Sequence, residues 1–384
     1  MTTSPTTTEA PQTLLADVPA QADGVLVVDL PAIAENYRRL KSAFRERAVA
    51  AVVKADGYGL GAERVAPVLV KAGARSIFVA QLEEALKLRP LLDACHPAVS
   101  LYVLNGLAPG TEALFADNLI LPVLNSLGQI EAWGRFARQR DKALPAAIHL
   151  DSGMCRLGLP PDEVERLRAD PAALDGVVPT CLLSHLACAD EPQHPKNAEQ
   201  LAYLKQALTA LPRAPVSFCN SSGIFLGPDY HFDLGRPGVA LYGANPTPAA
   251  ANPMRPVVRL LAKVLQIRSI DAPQTVGYGA DHRATEPARI ATVAAGYADG
   301  YLRSISSRGH AWVAGHRVPV VGRVSMDLLA LDVTAVPPEQ VAPGDWAELL
   351  NAEQDVDALA REAGTIGYEI LTSLGARYHR VYLG

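Results

Sequence analysis

The sequence predicts an α/β fold in which a (β/α)8 TIM barrel is followed by a mainly β C-terminal domain. Three observations lead to this prediction. The chain of 384 residues is too long for one ordinary hydrophobic core. Short apolar runs alternate with amphipathic stretches up to about residue 256, and beyond it strand-like runs follow one another directly. We therefore expect a flexible tail at residues 1–22, a barrel over residues 23–256 and a β-rich domain over residues 257–384.

Eight runs of strand length occur in the first part of the chain. They are rich in Val, Leu, Ile and Ala and lie at residues 49–54, 76–80, 99–104, 119–123, 146–150, 178–184, 216–219 and 234–241. Helical spacing of apolar residues is found between them, at residues 62–72, 82–92, 127–140, 162–168 and 197–211. This number and rhythm of strands and helices is typical of a (β/α)8 barrel. A doubly wound sheet also alternates, but no GxGxxG turn follows the first strand.

The region after residue 256 predicts a β-rich domain. Strands are expected at residues 257–270, 290–295, 311–313, 318–321, 328–333 and 346–350, with one helix near residues 356–363. The segment Ala-Gly-His-Arg inside residues 313–318 indicates a hairpin connection. An early strand at residues 24–30 precedes the barrel pattern and is a candidate addition to this second domain.

Charge and cysteine content indicate a small-molecule ligand. The formal net charge is −5 and no Lys/Arg cluster is found, which argues against a nucleic-acid partner. The five cysteines contain no CxxC pair, so we expect neither a disulfide framework nor a metal site, and a reducing cytoplasmic setting. No run approaches the roughly 20 apolar residues of a membrane helix, and the first residues lack the pattern of a secretory signal.

Lys54 is the first candidate site residue. It ends the first expected strand in AVVKADGYGLG, where a Gly-rich turn leads into a helix starting near Gly61. Barrel enzymes keep their active sites at the carboxyl ends of the strands. An amine at that place either extends into solvent or, when desolvated, serves as a nucleophile toward an aldehyde.

Other reactive side chains follow the later strands in the same way. They are Arg156 in DSGMCRLG after strand five, His185 in SHLACAD after strand six, Asn220 and Ser221 in CNSSG after strand seven, and Arg236 within strand eight in DLGRPGVALYG. The hydroxyl of Ser221 and the backbone at Gly223 and Gly238 predict a phosphate site, since barrels often bind phosphate after strands seven and eight. An ordinary turn is the alternative for each motif taken alone.

These motifs resemble those of bacterial alanine racemases. The resemblance covers residues 24–384 and rests on AVVKADGYGLG, DSGMCRLG, SHLACADEP, NSSG, RPGVALYG, GYADGYLR, VGRVSMD and TIGYEI, in this order. AVVKADGYGLG and GYADGYLR are the most specific of them. The resemblance implies a barrel that binds pyridoxal 5'-phosphate, a homodimer with shared active sites, and the racemisation of alanine for cell-wall peptidoglycan or for alanine catabolism.

The resemblance also implies a pair of catalytic bases. Lys54 would hold the cofactor and act as the base for D-alanine, and Tyr297 of GYADGYLR, from the partner subunit, would act as the base for L-alanine. Two bases are needed because the α-proton leaves from one face of the substrate and returns to the other.

The remaining site residues are implied by the resemblance as well. The cofactor would be bound by Tyr58, His185, Asn220, Ser221, Arg236, Tyr368 and the backbone amides of Gly238 and Val239. Arg156 would contact the phenolic oxygen of the cofactor and orient the substrate, and the backbone of Met326 from the partner would meet the substrate carboxylate.

Arg236 and His185 have a particular electrostatic role in this family. The arginine faces the pyridine nitrogen of the cofactor, and its permanent positive charge leaves that nitrogen unprotonated. His185 would link Arg236 to Tyr297 and favour loss of the phenolic proton near neutral pH. A core histidine whose ring is satisfied by the backbone is the alternative for His185.

The sequence departs from the family pattern at His149. Many relatives have a lysine there, often carbamoylated, whose negative charge holds the arginine of the DSGM motif. A neutral imidazole cannot hold Arg156 by charge. We expect His149 to hydrogen-bond Arg156 directly, or through a bound anion or water.

Three alternatives share parts of this pattern. A broad-specificity amino-acid racemase would differ in pocket volume rather than in catalytic residues. A decarboxylase of the same layout uses a cysteine opposite the lysine, and GYADGYLR argues against it. A non-catalytic carrier of pyridoxal phosphate lacks the C-terminal β domain that this sequence predicts.

Overall fold

The computed structural model describes residues 18–384, so most of the expected flexible tail lies outside the described residues. The chain divides into two compact units. The first unit is Leu30–Val257, and the second combines Val258–Gly384 with the described residues up to Asp29. Within residues 18–384 no helix has both the length and the apolar character needed to cross a membrane.

The strands and helices are numbered in chain order. The strands are β1 (Gly24–Asp29), β2 (Ala48–Val49), β3 (Ala51–Val52), β4 (Ser76–Val79), β5 (Ser100–Val103), β6 (Ile120–Leu124), β7 (Leu144–His149), β8 (Val177–Leu183), β9 (Val216–Ser217), β10 (Leu234–Gly235), β11 (Val258–Ile270), β12 (Thr275–Val276), β13 (His282–Arg283), β14 (Ala288–Val293), β15 (His310–Val313), β16 (His316–Pro319), β17 (Leu329–Asp332), β18 (Trp346–Leu350) and β19 (His379–Leu383). The helices are α1 (Leu30–Ala43), α2 (Lys54–Tyr58), α3 (Ala62–Lys71), α4 (Leu82–Cys95), α5 (Glu112–Asp117), α6 (Leu127–Gln139), α7 (Pro161–Ala169), α8 (Pro195–Ala207), α9 (Val356–Ala363) and α10 (Gly367–Ser373).

The first unit is a closed parallel barrel. Strands β3 to β9 pair in sequence order, and β10 pairs in parallel with β2, which places Leu234 opposite Ala48. β2 and β3 are two halves of the first barrel strand, interrupted at Ala50. The backbone N–H of Arg236 donates to the carbonyl of Cys219 at 2.8 Å and joins the end of strand eight to strand seven. The barrel prediction is therefore confirmed.

Apolar periodicity explains why these segments form strands and helices. In β4 the consecutive residues Ile77, Phe78 and Val79 are all fully buried, as expected for a strand that lies between the barrel interior and the helices. In α3 the residues Val65 and Leu69 are buried one turn apart, whereas its charged residues lie outside the buried face. These charged residues are Glu63, Arg64 and Lys71. The helices thus cover the barrel with their apolar faces.

One expectation for the barrel was wrong, and two helices were missed. The eighth strand ends at Gly235 and not at residue 241, because Pro237 has no N–H for strand pairing and a 3-10 helix follows at Val239–Tyr242. Helices α1 and α5 were not predicted. The helical spacing of the buried residues Ile33, Tyr37 and Leu40 contained the signal for α1.

The second unit is built on one large sheet. Its strand order is β16-β15-β18-β11-β1-β19, and β14 pairs with both β11 and β17. β1 is antiparallel to β11 and parallel to β19, so this early strand belongs to the sheet of the β-rich unit. β15 and β16 form the expected hairpin, with Ala314 and Gly315 at positive φ in a two-residue turn. α9 matches its prediction, and α10 was not predicted.

Candidate functional site

Lys54 lies where the first barrel strand ends. The N–H of the preceding Val53 donates to the carbonyl of Phe78 at 2.9 Å, which holds the strand up to the lysine. The Lys54 side chain is half-buried. Burial and the positive charge of Arg156 lower the pKa of its amine, and the carboxylate of Glu84 partly opposes this. The amine therefore reaches its neutral, nucleophilic form at a lower pH than an exposed lysine does.

A left-handed turn follows Lys54. Ala55, Asp56 and Gly57 have φ angles of 54°, 54° and 64°, and Tyr58 continues at 55°. The N–H of Gly59 donates to the carbonyl of Ala55 at 2.8 Å within this turn. For residues with a Cβ atom this conformation costs roughly 1–2 kcal/mol of conformational free energy each, so surrounding contacts must stabilise the turn.

A cradle of hydroxyl and amide groups lies beside the turn. The Oγ atom of Ser221 accepts hydrogen bonds from the N–H groups of Gly238 at 2.9 Å and Ala240 at 3.3 Å. Tyr58 stacks on Tyr242 with ring centroids 4.6 Å apart. A Cβ atom on Gly238 would lie only 2.1 Å from the Tyr58 hydroxyl, so glycine is what allows that hydroxyl to reach this backbone. Two hydroxyls and backbone amides in one place suit a phosphate group.

Asn220 supports this cradle from the loop after β9. Its Oδ1 atom accepts a hydrogen bond from the N–H of Gly223 at 2.9 Å, and its Nδ2 atom donates to the carbonyl of Leu186 at 3.5 Å. Asn220 therefore fixes the loop that carries Ser221 and connects it to the loop after β8. Val239 follows Gly238 as the first residue of the 3-10 helix.

Arg236 lies directly after β10 and is buried, with 4% of its surface exposed. Its guanidinium donates to the Ser217 hydroxyl and, at 2.6 Å, to the carbonyl of Ser184. Its Nη2 atom also lies 3.4 Å from Nδ1 of His185. Burial, Arg236 and Arg156 together hold the pKa of His185 well below its usual range. His185 is therefore neutral near pH ~7 and can accept a hydrogen bond from Arg236.

The DSGMCRLG loop is folded around Asp151. One carboxylate oxygen of Asp151 accepts hydrogen bonds from the N–H groups of Gly153, Met154 and Cys155, at 2.9, 2.9 and 3.1 Å. Arg156 follows in this loop and its side chain is exposed. Its charge nevertheless lowers the pKa values of Lys54 and His185. The loop thus brings Arg156 near the Lys54 amine.

Gln200 of helix α8 connects the loops at the barrel mouth. Its Nε2 atom donates to the Ser152 hydroxyl at 3.1 Å and to the His185 carbonyl at 2.8 Å, and its Oε1 atom accepts from the N–H of Ala187 at 2.9 Å. Ser152 in turn hydrogen-bonds the Ser184 hydroxyl at 2.7 Å. Gln200 is fully buried, but no motif in the sequence indicated it.

In the described part of the chain His149 does not hydrogen-bond Arg156 directly, and the alternative of a contact through an anion or water stays a prediction. Within residues 18–384 the structure contains no hydrogen bond between them, and Nδ1 of His149 instead lies 2.7 Å from Oδ1 of Asn125. The amide of Asn125 donates to the carbonyls of Leu104 and Val123, so its oxygen faces the ring. The Nδ1 atom of His149 must then be the donor, and Nε2 has the lone pair. Asn125 was not among the predicted site residues.

The remaining predicted site residues, Tyr297, Met326 and Tyr368, belong to the β-rich unit. Tyr297 is 43% exposed, and its N–H donates to the carbonyl of Ser325 at 3.1 Å. A Cβ atom on Gly296 would lie 2.3 Å from the carbonyl oxygen of Met326, so the GYADGYLR and VGRVSMD segments are packed together. Met326 and Tyr368 are 53% and 42% exposed. The structure therefore brings Tyr297 and Met326 together and leaves both side chains at the surface.

Family models of alanine racemase match both parts of the chain. The family model of the alanine racemase N-terminal domain matches residues 28–246, and that of the alanine racemase C-terminal domain matches residues 257–382. A catabolic alanine racemase of Agrobacterium fabrum is 51% identical, covering 94% of this chain and 92% of the relative. An alanine racemase of Rhodospirillum rubrum is also 51% identical, covering 95% of this chain and 97% of the relative.

Solved structures show the same fold. The alanine racemase of Bartonella henselae, with covalently bound pyridoxal phosphate, has a TM-score of 0.89 and 42% identity, covering 94% of this chain and 100% of that one. The biosynthetic alanine racemase of Pseudomonas aeruginosa has a TM-score of 0.87 and 36% identity, covering 95% and 100% of the two chains.

Proposed function

The chain belongs to the alanine racemase family of isomerases, and from this premise we propose that it interconverts L- and D-alanine with pyridoxal 5'-phosphate by a two-base mechanism. The family is dependent on this cofactor, and the related structure from Bartonella henselae holds it covalently. The relatives reported above are alanine racemases, which favours alanine over the broad-specificity alternative.

The phosphate cradle is the observation that carries the proposal. The hydroxyls of Tyr58 and Ser221 and the N–H of Gly238 converge where a side chain at Gly238 would not fit. Lys54 provides an amine with a lowered pKa, and Arg236 provides a buried positive charge. These groups fit the phosphate, aldehyde and pyridine nitrogen of the cofactor. We propose Asn220, Val239, His185 and Tyr368 as further residues of the same pocket.

The mechanism needs two proton carriers on opposite faces of the substrate. Tyr297 takes the α-proton of L-alanine, and the Lys54 amine delivers a proton to the other face; the reverse reaction exchanges these roles. Pyridoxal phosphate, held in this pocket, would supply to the bound substrate the electron-withdrawing system that makes the α-proton acidic, while the free Lys54 amine carries a proton.

Neighbouring residues orient the substrate and limit side reactions. Arg156 binds and orients the substrate, because its guanidinium offers a rigid set of donors to a carboxylate or phenolic oxygen. The backbone of Met326 contacts the substrate carboxylate. Arg236, held by Ser217 and the Ser184 carbonyl, keeps a proton away from the pyridine nitrogen. With that nitrogen unprotonated, the cofactor would be a weaker electron sink, so less carbanion character would build up on the substrate. Transamination would therefore be disfavoured.

A homodimer with shared active sites is part of the proposal. Tyr297, Met326 and Tyr368 are exposed although two of them are large and aromatic. Exposed apolar side chains of this kind are typical of surfaces that bind another protein. We propose that Tyr297 and Met326 complete the active site of the partner subunit.

Incubation with single enantiomers tests the function. The purified protein with pyridoxal phosphate is given L- or D-alanine, and parallel samples of Ser, Lys and Arg, before chiral analysis. We expect interconversion of alanine alone. Binding of the cofactor without interconversion of any enantiomer would contradict the proposal.

Substitution of Tyr297 tests the two-base mechanism. Tyr297→Phe removes one proton carrier, so we expect turnover of L-alanine to fall by about 100-fold or more. The absorbance of the cofactor bound to Lys54 should persist, because Tyr297 does not hold it. Loss of that absorbance as well would show that Tyr297 has a structural role.

The cellular role proposed here is alanine catabolism in the cytoplasm. The Agrobacterium relative is described as catabolic, and so is one of Mesorhizobium japonicum at 51% identity. All five cysteines are free, which is common in a reducing compartment. Deletion of the gene should impair growth on alanine as carbon source. A requirement for added D-alanine instead would indicate a role in cell-wall synthesis.

A further inference from the structure

A carboxylate on helix α4 contacts the backbone that carries Lys54. Glu84, in the first turn of α4, forms a capping box with Gln81. Its Oε2 atom accepts hydrogen bonds from the N–H groups of Ala80 at 2.8 Å and Gln81 at 2.9 Å. Its Oε1 atom accepts one from the N–H of Ala55 at 2.5 Å, 29 positions away in sequence. A capping box requires only the Gln81 contact, so the bond to Ala55 is an addition to it.

The N–H of Ala55 belongs to the peptide group that follows Lys54. Ala55 is also the first residue of the left-handed turn, with a φ angle of 54°. A hydrogen bond from an amide to a carboxylate is about twice as strong as one between neutral groups. Glu84 thus holds the strained backbone at the residue next to the lysine.

Glu84 is also a charged neighbour of the Lys54 amine. Arg156 and Glu84 are the ionisable groups whose charges shift the pKa of Lys54, and only the carboxylate raises it. His185, on the loop after β8, is a further titratable group that interacts with Lys54, and it is itself neutral. The same carboxylate therefore acts on the backbone and on the charge of the lysine.

We propose that Glu84 is a positioning residue for Lys54, which anchors the left-handed turn through the Ala55 amide and balances the positive charge of Arg156 at the amine. The inference rests on the proposed role of Lys54 as cofactor lysine and proton carrier. Glu84 itself touches neither substrate nor cofactor in this proposal.

Glu84→Gln is the variant that separates the two contacts. A glutamine has one oxygen and one NH2 group in place of two oxygens. If its oxygen keeps the bonds to Ala80 and Gln81, its NH2 group faces the N–H of Ala55, and two donors cannot bond each other. The helix cap is then retained, while the anchor on Ala55 and the negative charge are lost.

Two control variants isolate the effect. Glu83→Gln changes the charge by the same amount on the adjacent residue, which is exposed and paired with Lys87 at 2.8 Å. Gln81→Ala removes the side chain that completes the capping box and leaves the bond between Glu84 and Ala55. Neither residue has a role in the proposed site, and a thermal melt of each variant checks folding.

Three measurements on the full-length holoenzyme test the proposal. For Glu84→Gln we expect kcat to fall about tenfold with KM nearly unchanged, and release of the cofactor from Lys54 during dialysis to be faster. Amide hydrogen exchange of residues 55–60 should also accelerate. Both control variants should stay within about twofold of the wild type in kcat.

The pH profile distinguishes positioning from a merely structural effect. Lys54 accepts the α-proton of D-alanine as a neutral amine, so kcat for D-alanine rises as pH passes the pKa of the amine. Loss of the Glu84 charge lowers that pKa further. The acid limb of the kcat profile for D-alanine should therefore move to lower pH in Glu84→Gln and remain in place in Glu83→Gln.

The outcomes separate this inference from the proposed function. If Glu84→Gln behaves as Glu83→Gln in all measurements, the inference is wrong and the racemase function stands. If hydrogen exchange accelerates but kcat, cofactor release and the acid limb do not change, Glu84 only stabilises the turn, and the positioning role is wrong. If the wild type interconverts no alanine, the proposed function fails, and cofactor release together with hydrogen exchange still decides the inference.

Discussion

His149 illustrates how one buried residue links structure to pH. Burial, followed by the positive charge of Arg236, lowers the pKa of its imidazole from 6.5 to about 3. Between these two values the ring takes up a proton in the unfolded chain but stays neutral in the folded one. Since the unfolded state then binds more protons, the free energy of unfolding contributed by His149 is present above pH ~6.5 and is lost as pH falls toward ~3.

We expect His149→Gln to flatten this dependence. Relative to the variant, the wild type should lose up to about 1.4 kcal/mol of unfolding free energy per pH unit below pH ~6.5. Urea denaturation of both proteins between pH ~8 and pH ~4 measures the difference. The value at pH ~8 serves as the reference, because both side chains are neutral there and only packing and the bond to Asn125 differ. A difference that is constant over the whole range would contradict the prediction.

Gly238 offers a second test at the residue scale. A Cβ atom there would lie 2.1 Å from the Tyr58 hydroxyl, so Gly238→Ala must displace that hydroxyl or the backbone of the cradle. Loss of one hydrogen bond to a charged phosphate costs about 1.5–3 kcal/mol, so we expect pyridoxal phosphate to bind about 10–100-fold more weakly. Absorbance titration with the cofactor measures this.

The matched control is Gly128→Ala in helix α6. Its nearest neighbour would be the Ser126 hydroxyl, 3.9 Å from the added Cβ atom, and its φ angle is ordinary. We expect cofactor affinity to remain unchanged in this variant. Equal affinities for both alanine variants would show that the cradle at Gly238 does not bind the phosphate.

At the scale of elements, the left-handed turn predicts that an alanine-to-glycine substitution stabilises the protein, whereas such a substitution usually destabilises it. The positive φ angle of Ala55 costs roughly 1–2 kcal/mol of folding free energy. Glycine would avoid that strain, but it would add a cost of about 0.5–1 kcal/mol in chain entropy. Ala55→Gly should therefore stabilise the protein by up to about 1 kcal/mol. Ala202→Gly, at an exposed position inside helix α8, should destabilise it by about 1 kcal/mol.

Thermal unfolding compares the two variants directly. A rise in Tm for Ala55→Gly together with a fall for Ala202→Gly is the expected result. A fall in Tm for both would show that the turn after Lys54 is not strained.

The elements that could be predicted from sequence are those with a clear apolar pattern. β4 is a short continuous apolar run that is buried on both faces, and the buried residues of α3 repeat with the spacing of a helix. The left-handed turn could not be predicted, because Ala55 and Asp56 are not residues that favour positive φ as glycine does. Lys54 was recognisable because it ends a strand. Glu84 was not, since a glutamate early in a helix is explained by capping alone.

At the scale of the whole molecule, exposed apolar residues predict a dimer. Tyr278, Ile366 and Met326 of the second unit are 72%, 60% and 53% exposed. If the proposed dimer buries Ile366, then Ile366→Asp places a charge in its interface, and we expect that dimer to dissociate at about 10–100-fold higher protein concentration. Sedimentation velocity over a range of concentrations measures this, and racemase activity should fall in parallel.

Leu114→Asp is the matched control, because Leu114 of helix α5 is also apolar and 46% exposed but belongs to the barrel unit. It should leave the dimer unchanged. If both variants dissociate equally, or neither does, the proposed dimer does not use the surface at Ile366.

The pairing of β1 also has a consequence for synthesis on the ribosome. β1 lies between β11 and β19, and Asp29 is paired with Leu383. Translation at roughly 5–20 residues per second leaves this strand without its parallel neighbour for on the order of 20–70 seconds. Every partner of the barrel strands, by contrast, emerges before residue 257. A nascent chain can thus complete the barrel while β1 is still without β19, and during that interval the unpaired, Val-rich strand is a segment that a chaperone would protect from aggregation.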